Sequence, residues 1–552
     1  MDMELLKKWM GIKPMMILGL ACLISCSDND EPGTSSENDT PKPISEVNVP
    51  KRNPYLAAEH YSITHFNSAQ TDAFPYSVKE GTFKVDIDKC PMTWSGPVNL
   101  MTLSSTNSDY MWGMASDRVS YIYIGNGSFE KVAEAAYPTV STKSQEDLEK
   151  LIAKYNSVNE LSEVAKDILG SIPQIAMASG NYVLCDKDNY AYTNSLSRII
   201  RYKLTDPNDP SKGITLDKEI DMKNYFSNIN TLVGLSMTYD GYLVATFASG
   251  IAIVDRTLSN VVAQYALPAD QTLSNSISID ENNGIYLASN STTPNGEGLM
   301  QKIVWTGSQL STETADGAWS STYEGGPAVP SIKMGYGTGS TPTLMGFGDD
   351  EDKLVVITDG AQQMDLIAFW RNEIPDDAVT IDPENPRIAG KIGVTCGLEG
   401  QQWIQSEQSV VVAGYGAFVV NNISDEITSP LPDKIIGILS VGPLLPSPTG
   451  VERFQWNTKT NEWESVWARP DISSISMIPS VSRASNMVFV NGYTTTDGWE
   501  VTGLNWDTGA TTHRVIFGDT NRGNGAYAII QYLENGDLLF NSVAGPLRVN
   551  IQ

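Results

Sequence analysis

The sequence predicts an all-β protein that folds as a single β-propeller of about seven to eight blades with a short helical insertion. Runs of four to eight β-branched and aromatic residues alternate with Gly, Asn and Asp turns through most of the 552 residues. Hairpin-like units recur at intervals of roughly 40 to 50 residues, a period typical of propeller blades. No Pro/Gly/Ser-rich linker divides the middle of the chain. The alternative is a pair of β-sandwich domains.

The hairpins supply the individual elements. Asp240-Gly241 separates residues 235–239 from 242–247, and such a pair tolerates the positive φ of a two-residue turn. Gly284 is the centre of the next hairpin, and residues 534–537 occupy the same place in the last one. Neighbouring units can be fragments of one blade, which leaves the blade number open. The units lie near residues 110–127, 178–204, 234–258, 275–305, 342–371, 408–420, 450–470, 484–517 and 526–550.

A helical insertion is predicted at about residues 144–170. Leu148, Leu151 and Ile152 follow the 3.6-residue period of a helix. Ser144 and Asp147 form the pattern of a capping box, which marks a helix start. Two interpretations remain open for this insertion: it covers a central pocket on one face of the propeller, or it is a solvated decoration.

The N-terminus has the pattern of a secretory signal peptide over residues 1–25. Lys7, Lys8 and Lys13 form its positive region, and residues 15–24 form a short apolar core. This core is too short to span a bilayer as a permanent helix. We therefore expect the leader to be removed, which makes Cys26 the first residue of the mature chain.

Residues 23–26, Leu-Ile-Ser-Cys, resemble the bacterial lipoprotein box. The resemblance implies cleavage before Cys26 and attachment of two to three acyl chains to it, which suffice for stable anchoring. The acidic patch of Asp28, Asp30 and Glu31 resembles the export signal of Bacteroidetes-type surface lipoproteins. It implies an outer-membrane protein exposed at the cell surface, with the membrane as a partner through the lipid. The alternative is a secreted protein whose leader happens to end before a cysteine.

The composition divides the mature chain into a tether and a body. Residues 26–54 are rich in Ser, Asp, Glu, Asn and Pro and are expected to form a flexible tether, and residues 55–552 are expected to form the propeller. The net charge is −28, and removing the leader makes it −29. This acidity argues against nucleic acid and against an anionic membrane surface as direct partners.

Few residues suit structural metal or disulfide chemistry. Cys90, Cys185 and Cys396 remain after lipidation of Cys26, so at most one bridge is expected and its pairing is open. The chain has three histidines and no Cys-x-x-Cys pair, which makes a structural zinc site improbable. The sequence contains no Gly-x-Ser-x-Gly motif, the pattern that would indicate a serine hydrolase.

Residues 274–280 and 284–289 look like one blade of the gluconolactonase, regucalcin and strictosidine-synthase-like propellers, and residues 355–359 look like the inner strand of a later blade. In that family, inner-strand Asn and Asp residues bind a divalent cation, commonly calcium, at the central channel. The resemblance implies Asn275 and Asp359 as metal ligands. A cation held there would polarise an ester or lactone carbonyl. The alternative is that both side chains satisfy backbone groups or channel water.

The family's early Glu-Gly-Pro motif, which supplies a carboxylate ligand, is absent from this chain. The nearest polar cluster at the N-terminus consists of Glu59, His60 and residues 67–72. Two functions therefore remain. The first is a surface propeller that binds a glycan, a peptide or another small ligand. The second is a divalent-cation-dependent hydrolase of lactones or esters.

Overall fold

The computed structural model describes residues 42–551 apart from 59–60, 97–100, 172–178, 227–228, 329–332, 334, 428–430 and 432. The leader, Cys26, Glu59 and His60 thus lie outside the described residues. Within the described ranges, no helix has the length and apolar character that a membrane-spanning segment needs.

Eight small sheets follow one another along the chain, which confirms the predicted propeller. Two short strands precede them, β1 (Ala73–Phe74) and β2 (Gly81–Lys84). Blade 1 contains β3 (Met101–Ser104), β4 (Tyr110–Met114), β5 (Arg118–Tyr123) and β6 (Glu130–Ala136). Blade 2 contains β7 (Leu184–Cys185), β8 (Ala191–Ser195), β9 (Arg198–Leu204) and β10 (Ile214–Asp221). Blade 3 contains β11 (Gly234–Met237), β12 (Leu243–Phe247), β13 (Gly250–Val254) and β14 (Val261–Ala266).

The next two blades differ in size. Blade 4 contains β15 (Gln271–Thr272), β16 (Ser278–Ile279), β17 (Gly284–Ser291), β18 (Gly298–Trp305), β19 (Leu310–Ser311) and β20 (Trp319–Tyr323). Blade 5 contains β21 (Thr343–Met345), β22 (Leu354–Thr358), β23 (Asp365–Trp370) and β24 (Ile388–Gly393).

The last three blades complete the set. Blade 6 contains β25 (Val411–Ala413), β26 (Gly416–Val420), β27 (Thr449–Asn457) and β28 (Glu462–Ser473). Blade 7 contains β29 (Ser480–Ser482), β30 (Met487–Thr494), β31 (Gly498–Asn505) and β32 (Thr511–Gly518). Blade 8 contains β33 (Gln531–Tyr532), β34 (Leu538–Ser542) and β35 (Gly545–Val549). Short 3-10 turns lie at Ile87–Lys89, Gly125–Gly127, Pro210–Lys212, Met222–Asn224, Thr314–Asp316 and Asn521–Gly523.

The hydrophobic core is divided among the interfaces between adjacent blades. Blades 1 and 2 share one cluster that includes Trp112 and Tyr202, and each later pair of neighbouring blades shares its own. A final cluster joins Leu539 of blade 8 to Met111 and Ile122 of blade 1. Because every blade packs on both neighbours, the sheets form a closed ring of eight.

The N-terminal segment completes the last two blades. Strand β1 pairs in parallel with β29 at the inner edge of blade 7, and β2 pairs in parallel with β32 at its outer edge. Met92 then bridges Leu547 of β35 and supplies the outer position of blade 8. The ring is therefore closed by residues from both ends of the described chain.

The blade turns reuse one local design. In blade 3, Thr238 N donates to Tyr242 O, and Gly241 has a φ of 91°. Asn283 occupies the same left-handed position in blade 4, with a φ of 62°. The sequence predicts a two-residue turn at Asp240-Gly241. A type I′ turn of that length needs two residues with positive φ, but of this pair only Gly241 has one. The turn is therefore longer than predicted.

In the described part of the chain, three α-helices lie outside the sheets: α1 (Gln145–Leu151), α2 (Val158–Leu169) and α3 (Lys434–Ser440). The capping box of Ser144 and Asp147 is present at the start of α1. Helices α1 and α2 connect blades 1 and 2, whereas α3 lies in the loop between β26 and β27. All three share one apolar cluster with Ala526 and Val543. The insertion therefore packs on other loops of the ring instead of projecting into solvent.

Residues 44–58, which we call the strap, cross one face of the ring. Asn53 is buried and its amide donates to Met237 O at 2.9 Å, in the turn of blade 3. Asn48 donates to Asp349 at 2.7 Å, in the turn of blade 5. The chain therefore packs against the body before Tyr55, where the sequence places the start of the folded domain. Cys90, Cys185 and Cys396 are all free thiols.

Candidate functional site

Residues 61–74, which we call the plug, close one end of the central channel. Their backbone carbonyls accept hydrogen bonds from the innermost strands of six blades. The donor and acceptor pairs are Ser104 N to Tyr61 O, Cys185 N to Ser62 O, Ile279 N to Ser68 O, Leu344 N to Ala69 O, Val412 N to Thr71 O and Val481 N to Asp72 O. The plug enters from the strap, so it lies at the face that carries the first hairpin turn of each blade. We call this the turn face and the opposite one the connection face, because there the chain passes from blade to blade.

The plug carries a buried polar pair at the axis. His65 Nδ1 and Asp72 Oδ1 lie 2.7 Å apart, and both side chains are fully buried. Burial raises the pKa of the Asp72 carboxyl, and the neighbouring His65 opposes this rise. His65 Nε2 and Asp72 Oδ2 have no hydrogen-bond partner among the described residues. Buried polar groups are normally hydrogen-bonded, so the pair favours a polar environment in the channel above it.

Further polar atoms line the channel above the plug. They belong to innermost strands or to the residues just before them, and they are buried without a hydrogen-bond partner in the described chain. They are Ser278 Oγ, Gln408 Oε1 and Nε2, and Ser480 Oγ. A channel lined in this way can hold water or a polar ligand, since each such atom needs a partner.

Backbone strain is concentrated at the plug and at the opposite end of the channel. Of the ten described residues with positive φ that are neither Gly nor Asn, seven lie there. These seven are His65, Phe66, Gln70, Asp72, Tyr182, Ala526 and Tyr527. A left-handed conformation is unfavourable for such side chains and persists only where the surroundings enforce it, which often marks a functional site.

We call the opposite end of the channel the mouth. It is built from connections between blades and from loops between the second and third strands of blades 5 and 6. Different blade connections thereby bring distant residues to the same place on the axis. The mouth residues are Tyr182, Asn275, Lys333, Asp359, Gln405, Glu407, Lys434 and Tyr527.

Tyr182 joins the mouth to the plug. Its ring stacks on His65 with a centroid distance of 6.1 Å and an interplanar angle of 13°. Its hydroxyl approaches Asn275 Oδ1 at 3.4 Å. Burial raises the pKa of Tyr182 to about 12, and a hydrogen bond with Thr341 opposes the rise. Tyr182 therefore stays a neutral hydrogen-bonding group at physiological pH.

A charged pair lies on the second side of the mouth. Lys434 at the start of α3 contacts Glu407 at 2.9 Å, and both side chains are almost fully buried. The Lys434 ammonium lies 4.5 Å from the ring centroid of Tyr527. Burial raises the pKa of Tyr527, and the nearby Glu407 adds to the rise. Helix α3 thus brings an ammonium group, a carboxylate and an aromatic ring together.

A second lysine lies on the third side. Lys333 donates to Gln405 Oε1 at 2.6 Å, and Gln405 in turn donates to Gly360 O at 2.7 Å. Burial lowers the pKa of Lys333 to about 8, and the negative charges of Glu407 and Asp359 oppose this shift. Lys333 can therefore change its protonation state near physiological pH.

Asp359 and Asn275, the two predicted metal ligands, both lie at this end of the channel, but their partners differ. Asp359 Oδ1 accepts hydrogen bonds from the backbone of Ala361 and Asp365, and Lys391 Nζ lies 3.6 Å from Asp359 Oδ2. Asn275 instead interacts with Tyr182. In the part of the chain that the structure describes, no group of three or more His, Cys, Asp or Glu side chains is arranged to hold a metal ion.

These two residues do not fit a divalent cation. A cation site needs several free oxygen atoms directed at one point. The backbone occupies Asp359 Oδ1, and the Lys391 ammonium lies beside Asp359 Oδ2. Burial raises the pKa of Asp359 to about 7. A positive neighbour and a partly protonated carboxyl both oppose calcium binding. We therefore derive no reaction step through a metal at this position.

The sequence did not identify Tyr182, Glu407, Lys434 or Tyr527 as candidates. Their side chains come from connections that vary in length, and no local motif marks them. One signal was present, however: the polar stretch 67–72 lies in the plug, with Asp72 at the axis. The other members of the predicted N-terminal cluster, Glu59 and His60, lie outside the described residues.

The comparisons with known proteins identify the fold of this chain but do not assign it to a family. No family model matches the chain. An uncharacterized protein of Archaeoglobus fulgidus is 31% identical over 328 residues, or 58% of this chain, and the chain spans about 60% of that relative's length. Among solved structures, a europium-containing methanol dehydrogenase is 9% identical with a TM-score of 0.50, covering 90% of this chain and 91% of its own. BamB from Moraxella catarrhalis is 12% identical with a TM-score of 0.42, covering 83% and 98%. The chain is thus similar to propeller proteins, and this likeness shows the fold alone.

Proposed function

We propose that this chain is a lipid-anchored surface propeller that binds a small polar ligand, most favourably a glycan, at the mouth of its axial channel. The observation that carries the proposal is the convergence of strained and buried polar side chains at one end of a channel whose other end is closed by the plug. A ligand then has a single approach, from the connection face.

The side chains at the mouth suit a sugar. Tyr182 and Tyr527 present aromatic surface with a hydroxyl group, and Asn275 and Gln405 present amides. Concave sites of this kind use apolar surface for contact and a few polar groups for orientation. Lys333 and Lys434 add positive charge within an otherwise acidic chain. The ligand we favour therefore carries hydroxyl groups and has a place for one carboxylate.

The position of the strap supports an outward-facing mouth. The described chain begins at Lys42, close enough to Asp349 in the turn of blade 5 to lower the pKa of that carboxyl. The first described residues therefore lie at the turn face. In a chain anchored through Cys26, the mouth would point away from the membrane and toward ligands in the medium.

Removing the Tyr182 hydroxyl is expected to weaken ligand binding. Panels of immobilised glycans, peptides, and chromogenic esters and lactones would identify the ligand. Tyr182→Phe should then bind it about three- to tenfold more weakly, because one neutral hydrogen bond is lost. Tyr190→Phe is a matched control, because Tyr190 lies in the blade 2 turn on the opposite face. Equal binding by wild type and Tyr182→Phe would contradict a site at the mouth.

The lipid anchor is tested separately. Cys26→Ala is expected to move the protein from the membrane fraction to the soluble fraction of the cell envelope, because the acyl chains can no longer be attached. Ser27→Ala keeps the cysteine and should stay with the membrane. Retention of Cys26→Ala in the membrane fraction would overturn the anchor without affecting the ligand site.

A further inference from the structure

A cavity lies at the turn face, away from the mouth. It has a volume of about 170 Å³ and is enclosed by the strap, the plug and the turns of blades 5, 6 and 7. Leu56 and Phe66 form part of its apolar wall, and Arg483 reaches it from the turn after β29. The volume accommodates roughly six water molecules at liquid density, or one small polar group.

The charges around this cavity have one sign. Lys51, Arg52 and Arg483 are on its lining, and no Asp or Glu is among the described residues that line it. This is unusual for a chain with 65 acidic and 37 basic residues. The acidic turn of blade 5 lies beside the strap, but Asp349 and Asp350 accept hydrogen bonds from Asn48. Among the described residues, no carboxylate of the lining neutralises these positive charges.

Arg483 is the most informative residue in the cavity. Its backbone N–H donates to Phe74 O at 3.0 Å, which fixes the position of the residue beside the plug. Its guanidinium group is half-buried and has no hydrogen-bond or ion-pair partner among the described residues. Burial lowers the pKa of Arg483.

The other arginines with half-buried or buried side chains all have partners. They are Arg118 with Asp117, Arg198 with Glu219, Arg201 with Asp217, Arg256 with Asp188, Arg371 with Gly346 O, Arg387 with Trp370 O, Arg453 with Gln455, Arg469 with Asp471, Arg514 with Asp497, Arg522 with Asp88, and Arg548 with Asp537. A guanidinium removed from water without a partner is unfavourable. Among the described residues, Arg483 is thus the exception, and its guanidinium group has room for a further partner in the cavity.

We propose that the cavity between strap and plug is an anion site, in which Arg483 binds the oxygen atoms of a phosphate or carboxylate group and Lys51 and Arg52 attract it at the rim. Arginine is suited to this role because its planar fork donates two parallel hydrogen bonds to such groups. The shared chemistry is a small oxyanion, whether free in solution or part of a lipid headgroup. This site is separate from the mouth and does not rest on the function proposed there.

Inorganic phosphate is the probe for the first experiment. The full-length protein in detergent is titrated with phosphate while sodium chloride keeps the ionic strength constant, and its melting temperature is followed. We expect a saturable rise in the melting temperature. Arg483→Gln should weaken phosphate binding at least about tenfold, because a hydrogen bond to a charged group is lost. Arg483→Lys should restore part of the affinity.

Two further variants keep the test decisive. Arg469→Gln is the matched control, since Arg469 pairs with Asp471 outside the cavity, and it should bind phosphate like the wild type. If Arg483→Gln does not fold, the exposed pair Lys51→Gln with Arg52→Gln should weaken binding severalfold by lowering the local positive potential. No saturable response in the wild type, or an equal response in Arg483→Gln, would overturn the proposal.

Vesicles distinguish the two sources of the oxyanion. The Cys26→Ala chain, which has no lipid attachment, is floated with phosphatidylglycerol vesicles. Flotation that depends on Arg483 and that free phosphate displaces supports a headgroup. Phosphate binding that depends on Arg483, with flotation that does not, supports a free anion.

Discussion

Asp72→Ala is expected to lower the free energy of unfolding by about 3 kcal/mol, because the change leaves a fully buried imidazole without its partner. His65 and Asp72 contact each other at 2.7 Å, and both side chains are fully buried. The plug also accepts backbone hydrogen bonds from six blades, so loss of the pair affects the centre of the whole ring. Urea unfolding followed by tryptophan fluorescence measures the effect.

A double variant and a control variant separate the effect of the polar contact from the effect of side-chain volume. Replacing both residues with Leu should restore much of the lost stability, because an apolar pair needs no hydrogen bond. Asp206→Ala breaks the exposed contact with Lys212 and should have little effect on stability, because solvent screens exposed ion pairs. A loss for Asp72→Ala as small as that for Asp206→Ala would show that the plug does not depend on this contact.

The blades could be predicted because their signals are local. Each hairpin places a turn residue between two apolar runs, and the spacing from Gly241 to Gly284 reveals the repeat. The sequence suggested nine units where the ring has eight blades. The units near 408–420 and 450–470 are both part of blade 6, separated by the loop that carries α3. A long loop within a blade is indistinguishable from a blade boundary without knowledge of strand pairing.

Helix α3 and the plug could not be predicted for different physical reasons. Residues 435–440 are buried on all sides, so they have no polar face and no helical period. The plug pairs one residue at a time with strands that lie up to hundreds of positions away. Its conformation is set by the ring and not by its own propensities, as the positive φ values of His65 and Asp72 indicate. The mouth depends on the same long-range assembly.

Asp359→Asn is expected to make stability less dependent on pH. The pKa of Asp359 is raised from 3.8 to about 7, so the folded chain binds more protons than the unfolded chain between these values. Wild-type stability therefore falls as the pH rises from about 4 to about 7. Asparagine keeps the acceptor for Ala361 N and Asp365 N but carries no charge. The variant should gain up to about 4 kcal/mol relative to wild type between pH 4 and pH 8, since each pKa unit corresponds to about 1.4 kcal/mol.

Urea unfolding at pH 4, 6 and 8 measures this stability difference. For the control variant Asp206→Asn, we expect a stability change of the opposite sign. Lys212 lowers the pKa of Asp206, so that carboxylate stabilises the fold above its unfolded pKa and its loss has a small unfavourable effect at pH 8. A constant difference between wild type and Asp359→Asn across this range would contradict the buried, partly protonated carboxyl.

Calcium addition to the same two proteins addresses the hydrolase alternative. A rise in the wild-type melting temperature that Asp359→Asn abolishes would favour a cation at the mouth, whereas Lys391 beside this carboxylate leads us to expect no such rise.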